Sequence, residues 1–245
     1  MDWVWPLVAA PFVGSFLGVL IRRLPEGRLL TPARSCCEGC GVALGWRDLV
    51  PLVSYALLRG RCRACGAAIA AQHWQVELAS VAVAGSAAVA GAPWTACLFG
   101  WSALALAWID WDWLLLPDAI TLPLVLAGMA VTAWAAPWDT TDHAIAAALG
   151  FLSVQALAWC YRQLRGRDGI GAGDAKFLAA IGAWVGLEGL PAVVFGAALV
   201  GIAGAMVMRA RGQAIDASTP IPFGCCLAIA GWVVLLLVAV PAGFG

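Results

Sequence analysis

The residues best placed to do chemistry are carboxylates at the ends of apolar stretches. One group is Asp110-Trp111-Asp112 with Leu116-Pro117-Asp118 just after it. The other is Asp174, reached through Gly169-Ile170-Gly171-Ala172-Gly173 and followed by Ala175-Lys176. A charged side chain at the edge of a hydrocarbon layer is costly and is usually retained for function. Two carboxylates close enough to share a proton can act as base toward a water and as acid toward a carbonyl oxygen, the chemistry of aspartic proteolysis. We expect the two clusters to meet and to supply one aspartate each to such a pair. Gly171 and Gly173 let the backbone beside Asp174 bend and let another group approach closely. Plainer roles stand beside these. Asp118, directly before Ala-Ile-Thr, suits the cap of the next helix. Asp112 suits a solvated position, and Lys176 can snorkel to the interface. Glu77, at the start of an apolar run, reads equally as a boundary acid or a site residue, and His73 beside it reads as a boundary residue.

Cysteines suggest a second kind of chemistry. Of nine, Cys97, Cys160, Cys225 and Cys226 lie in or beside apolar runs and read as small packing residues. Cys37-x-x-Cys40 and Cys62-x-x-Cys65 bracket a polar, arginine-rich segment. Two such pairs can wrap a tetrahedral Zn2+ with four thiolates, and nearby arginines favour the thiolate forms. With four protein ligands the ion has no open position, so its role would be structural. Cys36 offers an alternative first ligand, though Cys37 has the better spacing. A redox-active dithiol pair is the other reading of these cysteines.

These residues need a scaffold, and the composition specifies its kind. The chain has 245 residues, 63% of them hydrophobic and 11% charged. Such a balance excludes an ordinary soluble domain and indicates an all-α polytopic membrane protein. Apolar runs predict about eight spans, near 3–21, 74–90, 94–109, 119–136, 144–161, 175–185, 190–208 and 221–240. The organisation expected is a first transmembrane helix over 1–21, a zinc-binding loop over 22–73 and a transmembrane core over 74–245. The first run is followed, not preceded, by arginines, so it reads as a retained span and not a cleaved signal. No internal repeat is evident. All 14 Lys and Arg residues fall in or beside odd-numbered connections, while the alternate ones carry only acids such as Asp139, Asp142 and Glu188. The positive-inside rule then places both termini outside and Asp110, Asp112, Asp118 and Asp174 on the cytoplasmic side. Tryptophans near span ends (Trp3, Trp5, Trp94, Trp134, Trp138) fit an interfacial belt.

Taken together, these residues resemble the type IV prepilin leader peptidases, over nearly the whole chain. The matching stretches are Gly14-Ser-Phe-Leu17, Arg23-Leu-Pro25, Arg34-Ser35 before the first cysteine pair, Gly60-Arg-Cys62 and Glu77. Asp110-x-Asp112 through Asp118, Gly171-x-Gly-Asp-Ala-Lys176 and Pro222-Phe-Gly224 complete them. The resemblance implies that Asp110 and Asp174 are catalytic. It also implies cleavage of the basic leader of a prepilin or pseudopilin precursor, on the cytoplasmic side of the bacterial inner membrane, for pilus or type II secretion assembly. Many members then methylate the new N-terminus with S-adenosylmethionine, for which no binding residues are readable. The chain departs from the family pattern at Gly18, Leu49, His73-Trp74 and Cys225. A peptidase without methyltransferase activity is the alternative within the family, and a thiol oxidoreductase or a transporter are alternatives outside it. A lipid bilayer and precursor substrates are the partners expected, with no nucleic acid.

Overall fold

The computed structural model describes residues 3–28, 35–166, 171–212 and 221–239. Readings that rest on Asp2, Arg34, Arg167, Gly169, Ile170 or the residues after 239 lie outside the described residues. In a hydrocarbon layer every backbone polar group must be satisfied within the chain, so long apolar runs become helices. The described residues form α1 (Val4–Arg23), a short α2 (Val53–Leu57), α3 (Ala71–Val89), α4 (Trp94–Trp113), α5 (Asp118–Ala135), α6 (Thr140–Arg165), α7 (Ala172–Ala210) and α8 (Phe223–Ala239). Of these, α1, α5, α6 with its preceding turn, and α7 are long and apolar enough to cross a membrane, and α8 is a shorter apolar helix.

The two runs expected at 175–185 and 190–208 belong to one 39-residue element that is broken at Gly186. Gly186 has φ 68° and ψ −174°, a conformation open to glycine and strained for any other residue. The break frees the Leu187 N–H, which donates to Asp142 Oδ2 at 2.8 Å. Pro191 follows five residues after the break, inside the second arm. Every residue from 177 to 186 is buried. The first arm is short because protein, and not lipid, surrounds it.

Small residues explain how the other helices reach that arm. A Cβ added at Gly182 would stand 2.7 Å from the Ala146 backbone, and one at Gly150 would stand 2.8 Å from Leu178 O, so α6 and α7 touch backbone to backbone. Trp184 packs over Gly128 of α5 and donates its indole N–H to Leu124 O at 2.9 Å. On the opposite side α8 lies over Ile181 and Phe99, which joins α4 to the same core. A second group, α1 with α3, closes through Gly14, where a Cβ would lie 2.6 Å from Glu77 Cα. Side-chain and backbone contacts tie the end of α1 to the start of α3, the end of α4 to the starts of α3 and α8, and the start of α5 to the start of α7. That is the end of the bundle where the acidic clusters lie.

Candidate active site and metal centre

Asp110 occupies the last turn of α4 and is 5% exposed. The helix stops at Trp113 because Leu114 takes a left-handed conformation (φ 51°), turning the chain into Leu116-Pro117 and α5. The carboxylate of Asp110 accepts hydrogen bonds from the first turn of α8: Cys225 N–H reaches Oδ2 at 3.1 Å, and Gly224 N–H bonds it as well. A Cβ on Gly224 would lie 2.8 Å from that same oxygen, so only glycine lets α8 come this close. The Cys225 thiol donates to Ala107 O at 2.9 Å, fixing the junction further.

Asp174 is the third residue of α7 and is partly buried. The backbone N–H of Gly171 bonds its carboxylate, and Asp174 is close enough to Asp110 for the two charges to repel. Leu116, 7% exposed, is the wedge between the two helix starts. Its side chain blocks a Cβ at Gly173 at 2.9 Å and one at Gly224 at 2.9 Å. Two remote sequence clusters thus converge at one point, with Asp110, Asp174, Gly171 and Gly173 gathered there.

The remaining acids sort by contact. Asp118 is the first residue of α5 but makes no cap; Pro117 holds the cap position. Its carboxylate oxygens accept from Lys176 Nζ, each at 2.7 Å. This takes the place of the cap expected of Asp118, because α7 brings the ammonium of Lys176, two residues past Asp174, over the start of α5. Asp112 is exposed and takes a 3.5 Å hydrogen bond from Gln72. Glu77 is 8% exposed and turns toward the cysteine loop, where Oε2 accepts the Leu52 N–H at 2.7 Å. His73 accompanies it, 3.3 Å from Arg22 Nη1. Sequence reading gives Leu116 and Gly224 no role of their own and Cys225 only packing, although Leu116-Pro117-Asp118 and Pro222-Phe223-Gly224 are among the stretches that carry the family resemblance and Cys225 among its departures.

The cysteine loop holds a repeat that the sequence shows once the turns are aligned. Cys37-Glu-Gly-Cys-Gly-Val-Ala-Leu44 and Cys62-Arg-Ala-Cys-Gly-Ala-Ala-Ile69 fold identically. In each, the first cysteine N–H donates to the carbonyl five residues on (Val42, 2.9 Å; Ala67, 2.8 Å) and its own carbonyl accepts from the glycine after the second cysteine (Gly41, 2.8 Å; Gly66, 2.9 Å). Those glycines have φ 71° and 72°. The sulfurs of Cys37, Cys40, Cys62 and Cys65 all lie within 4.8 Å of one another, and Cys36 is not among them. Zn–S bonds of ~2.3 Å in a tetrahedron require sulfurs roughly 3.8 Å apart. Cys37 Sγ and Cys65 Sγ are 3.8 Å apart, the spacing such an ion needs. Backbone N–H groups of Cys65 and Ala64 bring the Cys62 thiol down to about 7, whereas the Cys40 thiol, lowered by its Val42 backbone bond but raised more by Cys65, burial and Cys37, stands at about 11. Between the first pair, Glu38 forms an ion pair with Arg22 of α1. That guanidinium holds the Glu38 carboxyl below its ordinary range.

Comparison with known proteins covers most of this chain. Residues 8–90 match the Bacterial Peptidase A24 N-terminal domain, and residues 97–206 match the Type IV leader peptidase family. A prepilin leader peptidase/N-methyltransferase of Aeromonas hydrophila is 40% identical, over 91% of this chain and 87% of its own. Proteins of the same name from Burkholderia pseudomallei (39%; 94% and 84%) and Pseudomonas aeruginosa (37%; 91% and 86%) are similar over comparable shares. No solved structure matches the chain.

Proposed function

The chain belongs to the type IV leader peptidase family, and on that premise we propose that it is a membrane-embedded aspartyl endopeptidase removing the leader of prepilins and pseudopilins. The observation that carries this reading is that Leu116 packs against both Gly173, beside Asp174, and Gly224, which lies against Asp110, so that the two acidic clusters converge at the starts of α7 and α8. One carboxylate takes a proton from a water, which attacks the scissile carbonyl while the other carboxyl gives its proton to the carbonyl oxygen. As the C–N bond breaks, the first passes the proton it took to the departing amine and the second recovers its own from the diol hydroxyl. The amides of Gly224 and Cys225 orient Asp110, and that of Gly171 orients Asp174, before substrate arrives.

The basic residues at the dyad end favour a cytoplasmic active site, both termini outside and eight crossings, with the two arms of α7 counted separately. Domain limits near 21 and 73 follow from the same reading, the intervening loop being stapled by Zn2+ on Cys37, Cys40, Cys62 and Cys65. The zinc is structural, since four thiolates complete its shell. Methylation of the new N-terminus with S-adenosylmethionine is the second activity, supported by the names of the relatives. A synthetic prepilin incubated with labelled methyl donor, read separately for cleavage and for label, tests both. Label on an uncleaved precursor, or no cleavage at all, would contradict the order or the activity.

A further inference from the structure

Outside the dyad, a cavity of about 890 Å³, its walls mainly apolar with several charged groups among them, lies between the end of α1, the cysteine loop and the start of α3. Its size is that of a small-molecule site. Ser15, Arg22, Arg23, Tyr55, Trp74 and Glu77 are among its walls. Glu77 marks it as built. A carboxylate this buried is tolerated where hydrogen bonds meet it, and here Leu52 N–H donates at 2.7 Å with the Ser15 hydroxyl as a second partner. An ionised carboxylate has about four lone-pair positions, so about two remain for a ligand. Leu52 pays for its contact with a strained backbone, φ 59° and ψ −45°, a conformation that bulky residues keep only where the surroundings enforce it. Tyr55 and Trp74 set two aromatic rings together, centroids 6.2 Å apart and tilted by 38°.

We infer that this cavity is the binding site for S-adenosylmethionine, an assignment that rests on the methyltransferase reading above. The ligand carries a flat base, a ribose diol, a sulfonium cation and an amino-acid end, and the walls answer each. Aromatic faces suit the base and attract the cation. The carboxylate of Glu77 suits the diol hydroxyls, as acidic residues do in nucleotide sites. The guanidinium of Arg22 already pairs with Glu38 through Nη1, and its remaining N–H donors suit the ligand carboxylate. The cavity is also beside the site that makes its substrate. Gln72, next to the wall residue His73, donates to Asp112, two residues beyond Asp110. An N-terminus freed at the dyad is therefore produced next to the methyl donor.

The experiment uses full-length, zinc-loaded protein in nanodiscs and measures S-adenosylmethionine binding by calorimetry, with photo-cross-linking of the labelled ligand and peptide mapping. Methyl transfer to a pre-cleaved pilin peptide is followed in parallel. The wild type is expected to bind and to take label within 52–77. Glu77→Gln and Tyr55→Leu should each weaken binding at least tenfold while metal content and thermal melting stay at wild-type values. Wild-type binding with label elsewhere, or both variants binding within twofold of wild type, overturns the site while leaving methylation intact. Displacement of the bound ligand by a non-cleavable leader peptide gives the cavity to the precursor and also overturns the assignment. Absence of both binding and methyl transfer removes the methyltransferase reading together with its site.

Discussion

Gly224 shows how much of the site depends on an atom that is missing. Asp110 and Asp174 are recognisable from sequence as boundary carboxylates, and the glycines before Asp174 announce a close approach. Nothing in the sequence says that the approaching group is Leu116 or that the start of α8 supplies amides to Asp110, because those contacts join residues far apart in the chain and on different helices. Asp118 was similarly half-legible: its place at the start of α5 was evident, but its partner Lys176 belongs to another helix. The geometry leads to a prediction at this scale. Gly224→Ala puts a methyl group 2.8 Å from Asp110 Oδ2 and 2.9 Å from Leu116 Cδ2, too close for any real contact, so α8 must shift away. Cleavage of a synthetic prepilin should fall at least tenfold, with zinc content and membrane insertion unchanged. Unaltered turnover would mean that the α8 amides do not orient the dyad.

At the scale of elements, the broken α7 and the paired cysteine turns carry the argument. Sequence located both apolar arms of α7 but read the gap between them as a connection; the break is a single residue, satisfied by an aspartate from α6 that no local pattern reveals. Gly186→Ala should be destabilising by about 1–3 kcal/mol, from the positive φ and from a Cβ only 2.7 Å from Asp142 Oδ2. A thermal melt in detergent checks this, and an unchanged melting temperature would show that the break can relax without cost. The cysteine turns were legible as ligand spacing, whereas their repetition emerged only from matching hydrogen bonds. Removal of one ligand should act through structure. Cys62→Ser is expected to lose bound metal and to expose the 35–72 segment to limited proteolysis, with cleavage activity lowered but not abolished. Purified chelator-free protein lacking zinc would refute the metal assignment itself.

For the whole molecule, composition was enough to recognise a helical membrane protein, and charge bias was enough to propose its orientation. The number of crossings was less legible, because the two runs expected at 175–185 and 190–208 form one element broken at Gly186, whose first arm is buried within the protein. A reporter joined after Gly245 should behave as external and one within 209–220 as cytoplasmic; the reverse pattern would move the dyad to the other face. The central claim is that two aspartates, contributed by α4 and α7, act as one catalytic unit. Its most direct test is single-turnover cleavage of a synthetic prepilin by wild type, Asp110→Asn, Asp174→Asn and Asp112→Asn, at matched protein levels and zinc content. Asparagine preserves size and much of the hydrogen bonding but cannot exchange the proton. The account predicts no detectable cleavage by the Asp110 and Asp174 variants, measurable cleavage by the Asp112 variant, and undiminished precursor binding by all of them. Near-normal cleavage by either Asp110→Asn or Asp174→Asn would contradict it.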